Sequence, residues 1–136
     1  MSILVTDQGF GPDDFTAPIT ALEDARAGHG IDLPSSTDPV ELSGRLSGIT
    51  MIRVDFPSFA DGRGFTIARQ LRLMGYTGRL RARGHVIADQ YAMARRAGFD
   101  EVEIDEELAA RQPEAQWLAR ADWRNHDYQA RLRGQG

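Results

Sequence analysis

The sequence predicts an α/β fold: a parallel sheet of about four or five strands built from βα units, with helices mainly on one face in a half-barrel-like arrangement. Strand-like and helix-like segments alternate over residues 49–122 with short connections, which is typical of a parallel sheet. The strand-like segments alternate apolar with charged residues, so one sheet face should be apolar and the other charged. With 136 residues, the chain is predicted to form a single domain.

The first 48 residues carry the weaker patterns of this domain. Spacing and turn residues there predict a strand, a helical segment, a second strand and a short helix capped by Ser36 or Asp38, over residues 2–6, 15–30, 30–34 and 36–48.

The core of the prediction is the βα-repeat region, residues 49–122. It should run strand, helix, strand, helix, strand and helix, over residues 49–56, 62–75, 78–84, 86–98, 100–105 and 106–122. Gly75 and Gly98 follow the first two helical patterns and predict where those helices end. Pro113 should interrupt the third helix, and residues 123–136 form a C-terminal tail.

The charged face of the predicted sheet carries arginines on its middle strand, at positions 79, 81 and 83, with carboxylates on both neighbouring strands. Three arrangements are open. The face is the exposed concave side of a half-barrel, or the acidic N-terminal segment covers it and pairs with its arginines, or a second copy of the chain covers it in a homodimer.

Composition excludes several classes of chemistry. There is no cysteine, which excludes disulfides, thiolate metal clusters and a cysteine nucleophile. There is no lysine either, so Schiff-base chemistry is excluded, and the 16 basic side chains are all arginines, whose forked guanidinium suits oxyanions. The net charge of −4 argues against binding to nucleic acid. No membrane span or signal peptide is evident, so a cytoplasmic protein without membrane partners is expected.

Charge is distributed unevenly along the chain. Residues 1–50 contain two arginines and eight acids, residues 51–100 contain nine arginines and four acids, and residues 101–136 contain five arginines and eight acids. The basic middle either binds an anion or is neutralised within the fold.

Chemistry is expected at the carboxyl ends of the parallel strands, where open sheets bind ligands. That edge should collect six polar side chains: Asp55, Asp61, Arg63, Arg83, His85 and Asp105. Asp61 is the expected N-cap of the following helix, and Gly62 and Gly64 would leave amides free to bind an anion that Arg63 clamps. The alternative is a capped helix with Arg63 tied to Asp55.

The residues predicted to bind a small oxyanion are Asp61, Gly62, Arg63, Gly64, Arg81 and Arg83. Candidates for catalysis, if the protein is an enzyme, are Asp55, Arg63 and His85. No metal site is predicted, because His29, His85 and His126 lack ligand spacing. No cofactor is predicted; the glycines of "GRGFTIA" offer a loose dinucleotide fingerprint, which makes NADP the alternative.

The segments "DFPSFADGRGFTIARQLR", "YTGRLRARGHVIADQ" and "RRAGFDEVEI" resemble a bacterial family of unknown function. Its members are commonly labelled "oxidoreductase probably involved in sulfite reduction", and their genes lie beside those of assimilatory sulfite reductase. The positions that match the family signature are Asp55, Phe56, Pro57, Asp61, Gly62, Arg63, Gly64, Arg69, Arg81, Gly84, Asp89 and Gln90.

The resemblance implies an accessory protein of assimilatory sulfur metabolism, with sulfite reductase as its partner and an oxyanion-binding or partner-docking corner at Asp61–Gly64. A small oxyanion-handling enzyme and an NADP-binding electron-transfer protein are the alternatives. Three positions depart from the family: Ser58 replaces a usual lysine, His85 a usual aspartate, and Ala97 a common cysteine. The last departure argues against thiol-based redox chemistry in this chain.

Overall fold

The computed structural model describes residues 2–124, and these form a single seven-stranded sheet with four α-helices. The strands are β1 (Ser2–Thr6), β2 (Gly9–Gly11), β3 (Ile19–Ala21), β4 (Gly30–Leu33), β5 (Met51–Phe56), β6 (Arg79–Gly84) and β7 (Glu101–Asp105). The helices are α1 (Arg63–Leu73), α2 (Tyr91–Ala97), α3 (Glu106–Arg111) and α4 (Glu114–Leu118), with 3₁₀ turns at Leu22–Asp24, Pro39–Leu42 and Ala88–Gln90. None of the helices in the described range is long and apolar enough to span a bilayer.

The sheet order is β2-β1-β7-β6-β5-β4-β3. Strands β3 to β7 are parallel, and β1 joins them by pairing antiparallel with both β7 and β2. The predicted α/β class and parallel core are therefore confirmed, but the sheet has seven strands instead of four or five. The half-barrel is not confirmed.

The two sheet faces differ as the strand alternation predicts. One face carries the core, in which Val54, Leu80 and Val102 from the strands pack with Leu71 of α1 and Tyr91 of α2, all fully buried. The opposite face carries arginines and carboxylates on β4, β5, β6 and β7. Burial of the apolar face supplies most of the driving force for folding, because each large apolar side chain contributes roughly 1.5–3 kcal/mol.

The N-terminal region departs from the prediction in three respects: β2 was not predicted, the short helix expected over residues 36–48 is a 3₁₀ turn at Pro39–Leu42, and residues 15–30 do not form the expected helix. Residues 15–30 contain β3 and a single 3₁₀ turn instead of a helix. Helical spacing of the apolar residues there was misleading, because Ile19–Ala21 pairs in register with β4 and extends the parallel sheet. The predicted strands at residues 2–6 and 30–34 are present, and Asp38 caps the turn that begins at Pro39.

The connection between β2 and β3, residues 12–18, crosses the polar face from one sheet edge to the other. Six strand spacings on a flat sheet measure about 28 Å. The eight Cα steps available reach only about 26–29 Å. The two lengths are nearly equal, so this connection, hereafter the strap, must run nearly extended.

Candidate anion-binding cleft

A cleft of about 380 Å³ lies at the carboxyl ends of β5, β6 and β7, beside α3. It brings together four of the six side chains that the sequence placed at this edge: Asp55, Arg83, His85 and Asp105. Phe59 and Arg111 also line it. The rule that parallel sheets bind ligands beyond their carboxyl ends thus leads to the largest concentration of predicted site residues.

Arg83 is the least engaged arginine of the polar face. Its side chain is 50% exposed, and its one ion pair among residues 2–124 is a 3.3 Å contact from Nε to Oε2 of Glu103. Glu103 is already bound at shorter distance by Arg53 and Arg81. The terminal nitrogens of Arg83 therefore remain available to an oxyanion in the cleft, in the forked geometry that suits such groups.

Asp55 lies directly across the β5–β6 ladder from Arg83. It is half-buried, yet within residues 2–124 it has neither a hydrogen-bond partner nor an ion pair. A half-buried carboxylate without a partner is uncommon, because desolvation is then uncompensated. Asp55 is accordingly a candidate for contact with a ligand.

Gly84 fixes the geometry between these residues. Its φ of 111° lies in the region that favours glycine, and a Cβ there would lie 2.8 Å from the carbonyl oxygen of Phe56. It would also lie 3.6 Å from Oδ1 of Asp55. This close approach explains why a glycine occupies this signature position.

His85 forms the next part of the wall. Its Nδ1 lies 3.3 Å from the carbonyl oxygen of Phe56, so Nδ1 carries the proton in the neutral ring and Nε2 is left as an acceptor. The ring of Phe59 packs edge-on against it at 5.1 Å. Gln90 holds this wall in place, because its Nε2 donates to the carbonyl oxygen of Phe59 at 3.0 Å and its Oε1 accepts from the amide of Ile87.

The corner Asp61–Gly64 lies outside this cleft. Asp61 binds the Arg63 guanidinium with both oxygens, at 3.0 and 2.8 Å, and accepts the Arg63 amide at 3.1 Å. Arg63 also donates to the hydroxyl of Ser35 at 2.9 Å. The hydrogen bonds from Arg63 hold the pKa of Asp61 well below its usual range. Arg63 is thus tied to Asp61 and not to Asp55, and the acceptor at this helix start is the protein's own carboxylate.

Two details of the corner differ from the prediction. The N-cap of α1 is Gly62, with Asp61 accepting from the second residue after it in the chain. Gly64 is buried against Phe56, and a Cβ on it would lie 2.6 Å from Cε1 of that ring. Gly64 therefore serves the close packing of α1 on β5. Arg63 faces a separate groove of about 370 Å³ between residues 35–39 and α1.

Arg81 lies at the centre of the polar face and is fully buried. Its Nε donates to Glu101 at 2.6 Å, its Nη1 donates to Glu103 at 2.7 Å, and its two terminal nitrogens both bind Asp13 of the strap at 3.0 Å. Burial lowers the pKa of Arg81, but these hydrogen bonds raise it further, so the net shift is upward.

Arg79 is held similarly, between Glu101 and Asp14 of the strap, with the Phe15 ring 5.9 Å from its guanidinium carbon. Of the arrangements left open by the sequence, pairing with the acidic N-terminal segment is therefore the one formed at Arg79 and Arg81.

The remaining candidates are distributed as follows. Within residues 2–124 no three histidine, aspartate or glutamate side chains cluster as metal ligands. Asp89 pairs with Arg120 at 2.7 Å on the surface. Trp117 is buried against Tyr91. His126, which was considered as a metal ligand, lies outside the described residues.

Sequence reasoning missed Phe59 and Arg111 as parts of the cleft. Arg111 lies in the last turn of α3, where a basic residue is already explained by the helix dipole. Phe59 lies in the irregular connection after β5, and its position depends on Gln90, 31 residues later. Neither carries a local signal that distinguishes it from an ordinary surface residue.

Residues 30–136 match a family described as a bacterial protein of unknown function, DUF934, and the chain belongs to that family. Comparison with curated proteins and with solved structures gave no significant match. The matched range includes the whole cleft wall built by β5, β6, β7 and α3, whereas β1, β2, the strap and β3 precede it.

Proposed function

We propose that the protein is an accessory protein of sulfite reduction that holds a small oxyanion group in the cleft at the carboxyl ends of β5–β7. The observation that carries the anion site is the half-exposed side chain of Arg83 beside an open cleft. Among the described residues it has one long carboxylate contact, and its terminal nitrogens have no partner. The association with sulfite reduction rests on the resemblance of "DFPSFADGRGFT" and the segments that follow it to the bacterial family whose members are labelled as involved in sulfite reduction.

The test of the anion site is a titration of the 15N-labelled protein with sulfite and with sulfate at constant ionic strength, with chloride as the reference. Saturable shifts at the amides of Arg83, Gly84 and His85 are expected, and Arg83→Gln should remove them. Arg26→Gln is the matched control, since Arg26 is exposed in the connection before β4. Shifts that never saturate, or that persist in Arg83→Gln, would contradict the site.

The pathway is tested separately with a deletion strain grown on sulfate, sulfite, sulfide or cysteine as the sole sulfur source. Growth on sulfide and cysteine without growth on sulfate or sulfite is expected. Normal growth on all four sources would refute the role in sulfite reduction without touching the anion site.

The corner Asp61–Gly64 is proposed as part of the surface that docks sulfite reductase. Its support is that Arg63 is neutralised by Asp61 yet remains 61% exposed beside the groove at residues 35–39. Arg63→Ala should reduce co-purification with sulfite reductase while leaving the oxyanion titration unchanged. Equal co-purification by the variant would remove the corner from the interface.

A second candidate is an enzyme that transforms the bound oxyanion, with Asp55 and His85 as acid and base. It is favoured by the carboxylate of Asp55, which has no partner in the described part of the chain, and by Nε2 of His85, both at the same cleft. Turnover of sulfite by the purified protein, lost in Asp55→Asn and in His85→Gln with unchanged circular dichroism, would support this candidate. NADPH is included in the assay, because NADP binding is the remaining alternative from the glycine pattern.

A homodimer that covers the polar face is also proposed, for the part that the strap leaves open. Sedimentation at several protein concentrations tests it. A monomer at all concentrations would leave that part of the face exposed.

A further inference from the structure

The cleft contains opposite charges that do not neutralise each other. Asp55 and Arg83 are ladder partners on adjacent strands, about 4.8 Å apart along the hydrogen-bonding direction. Within residues 2–124 they nevertheless form no ion pair, although every other arginine of this face is bound to at least two carboxylates there.

The other carboxylates that line the cleft are engaged. Glu103 is bound by Arg53 at 3.0 Å and by Arg81 at 2.7 Å. Oδ1 of Asp105 accepts the amide of Leu108 at 2.8 Å and caps α3. Asp55 alone among the cleft carboxylates of the described chain has no donor, so a ligand that binds Arg83 must also satisfy or tolerate Asp55.

A simple anion meets this requirement poorly. Sulfate or sulfite on Arg83 would place its negative charge in the cleft that Asp55 also lines, and like charges on neighbouring groups repel. A ligand with a cationic donor at its other end would instead compensate both groups. Phe59 and Leu108 provide an apolar wall for the carbon atoms between the two charges.

We infer that the cleft recognises a small zwitterion, with its oxyanion on Arg83 and its ammonium on Asp55; this rests on the proposed oxyanion site and specifies its ligand. Because Asp55 and Arg83 are neighbours on adjacent strands, we expect the two charges of the ligand to be only a few bonds apart. Amino carboxylates and aminosulfonates share this chemistry, and the experiment distinguishes the two.

The experiment compares taurine with isethionate, which have the same carbon chain and sulfonate but carry an ammonium and a hydroxyl, respectively. Both are titrated into the 15N-labelled protein, together with glycine as the amino carboxylate and sulfate as the simple anion. Charged hydrogen bonds contribute about 1.5–3 kcal/mol, which corresponds to about 10–150-fold in affinity. Taurine or glycine should therefore bind at least about tenfold more tightly than isethionate or sulfate.

Two variants assign the charges. Asp55→Asn should remove the advantage of the ammonium while keeping or improving the binding of isethionate. Arg83→Gln should weaken all four ligands. Asp24→Asn is the control, because it makes the same change in charge on an exposed turn next to β3, four strands away from β7.

The outcomes separate this inference from the proposed function. If sulfate and isethionate bind through Arg83 as tightly as the zwitterions, and Asp55→Asn tightens them all, the anion site stands and the zwitterion inference is overturned. If none of the four ligands binds in a manner that depends on Arg83, the oxyanion site itself is wrong.

Discussion

Replacing Arg81 with methionine tests whether the polar face is a structural ion-pair network or a dispensable surface. The substitution keeps an unbranched side chain but removes the charge that Glu101, Glu103 and Asp13 share. Glu101 and Glu103 are about 95% buried, so they would lose their innermost partner without gaining water. Breaking a buried ion pair from one side costs about 3–5 kcal/mol. We expect that loss in the free energy of unfolding, and a melting temperature lower by roughly 10–20 °C.

The assay is urea unfolding at pH 7, followed by circular dichroism. Arg120→Met is the matched control, because its ion pair with Asp89 is exposed and should contribute no more than about 1 kcal/mol. Glu103→Gln in the Arg81→Met background should recover part of the loss, since it removes one of the buried carboxylates whose charge Arg81 no longer helps to compensate. A loss below about 1 kcal/mol for Arg81→Met, or no recovery in the double variant, would refute the network.

The pH dependence of the same variant follows from Glu103. Burial raises its pKa, but the hydrogen bonds and charges of Arg81 and Arg53 lower it further, so the net shift is downward. A lowered pKa stabilises the fold above the ordinary pKa of a glutamate and loses that contribution as pH falls through the lowered value. Without Arg81 the pKa should rise, so the deficit of the variant should be smaller at pH 5 than at pH 7. A deficit that grows toward pH 5 would contradict this reasoning.

Three further predictions concern packing and the other polar cluster. Gly64→Ala should destabilise the protein by about 1–3 kcal/mol, because its Cβ would meet the Phe56 ring, whereas Gly11→Ala, which has open space, should be nearly neutral in the same thermal melt. Asp7→Asn should cost about 1–3 kcal/mol in urea unfolding, because Asp7 binds the buried hydroxyl of Tyr91 at 2.5 Å and the guanidinium of Arg95. Burial raises the pKa of Asp7, but hydrogen bonds from Tyr91 and Arg95 lower it further, so the net shift is downward. The stabilisation that Asp7 contributes should therefore be lost only as the pH drops below the ordinary aspartate range. A loss that is already complete at pH 6 would contradict this prediction.

The parts of the fold that the sequence predicted correctly are those in which local pattern and tertiary environment agree. Alternation in β5, β6 and β7 is set by one buried and one charged face, and glycines follow both α1 and α2. The edge strands β2 and β3 were harder to predict from the sequence. β2 is a three-residue Gly-Phe-Gly segment and β3 is equally short, so each is defined by the pairing of its backbone with a neighbour and not by its own side chains.

The cleft was predicted in part for a similar reason. A strand that ends in a polar residue reveals which side chains reach the sheet edge, so Asp55, Arg83, His85 and Asp105 could be placed together. Which of these charged side chains form ion pairs could not be predicted, because the pairing depends on residues distant in the chain. Asp13 and Arg81 are 68 residues apart, and no local pattern links them.

The path of the strap explains why three arginines on one strand have different roles. Gly11, where the strap begins, pairs with Leu4, which pairs with Glu103, which pairs with Arg83. From that row the chain runs toward the amino ends of the strands, so that Asp13 meets Arg81 and Asp14 meets Arg79. Because the strap is nearly extended, it cannot also reach back over Arg83. The same connection that neutralises two arginines therefore leaves the third one at the mouth of the cleft, beside the Asp55 carboxylate, which has no partner within residues 2–124.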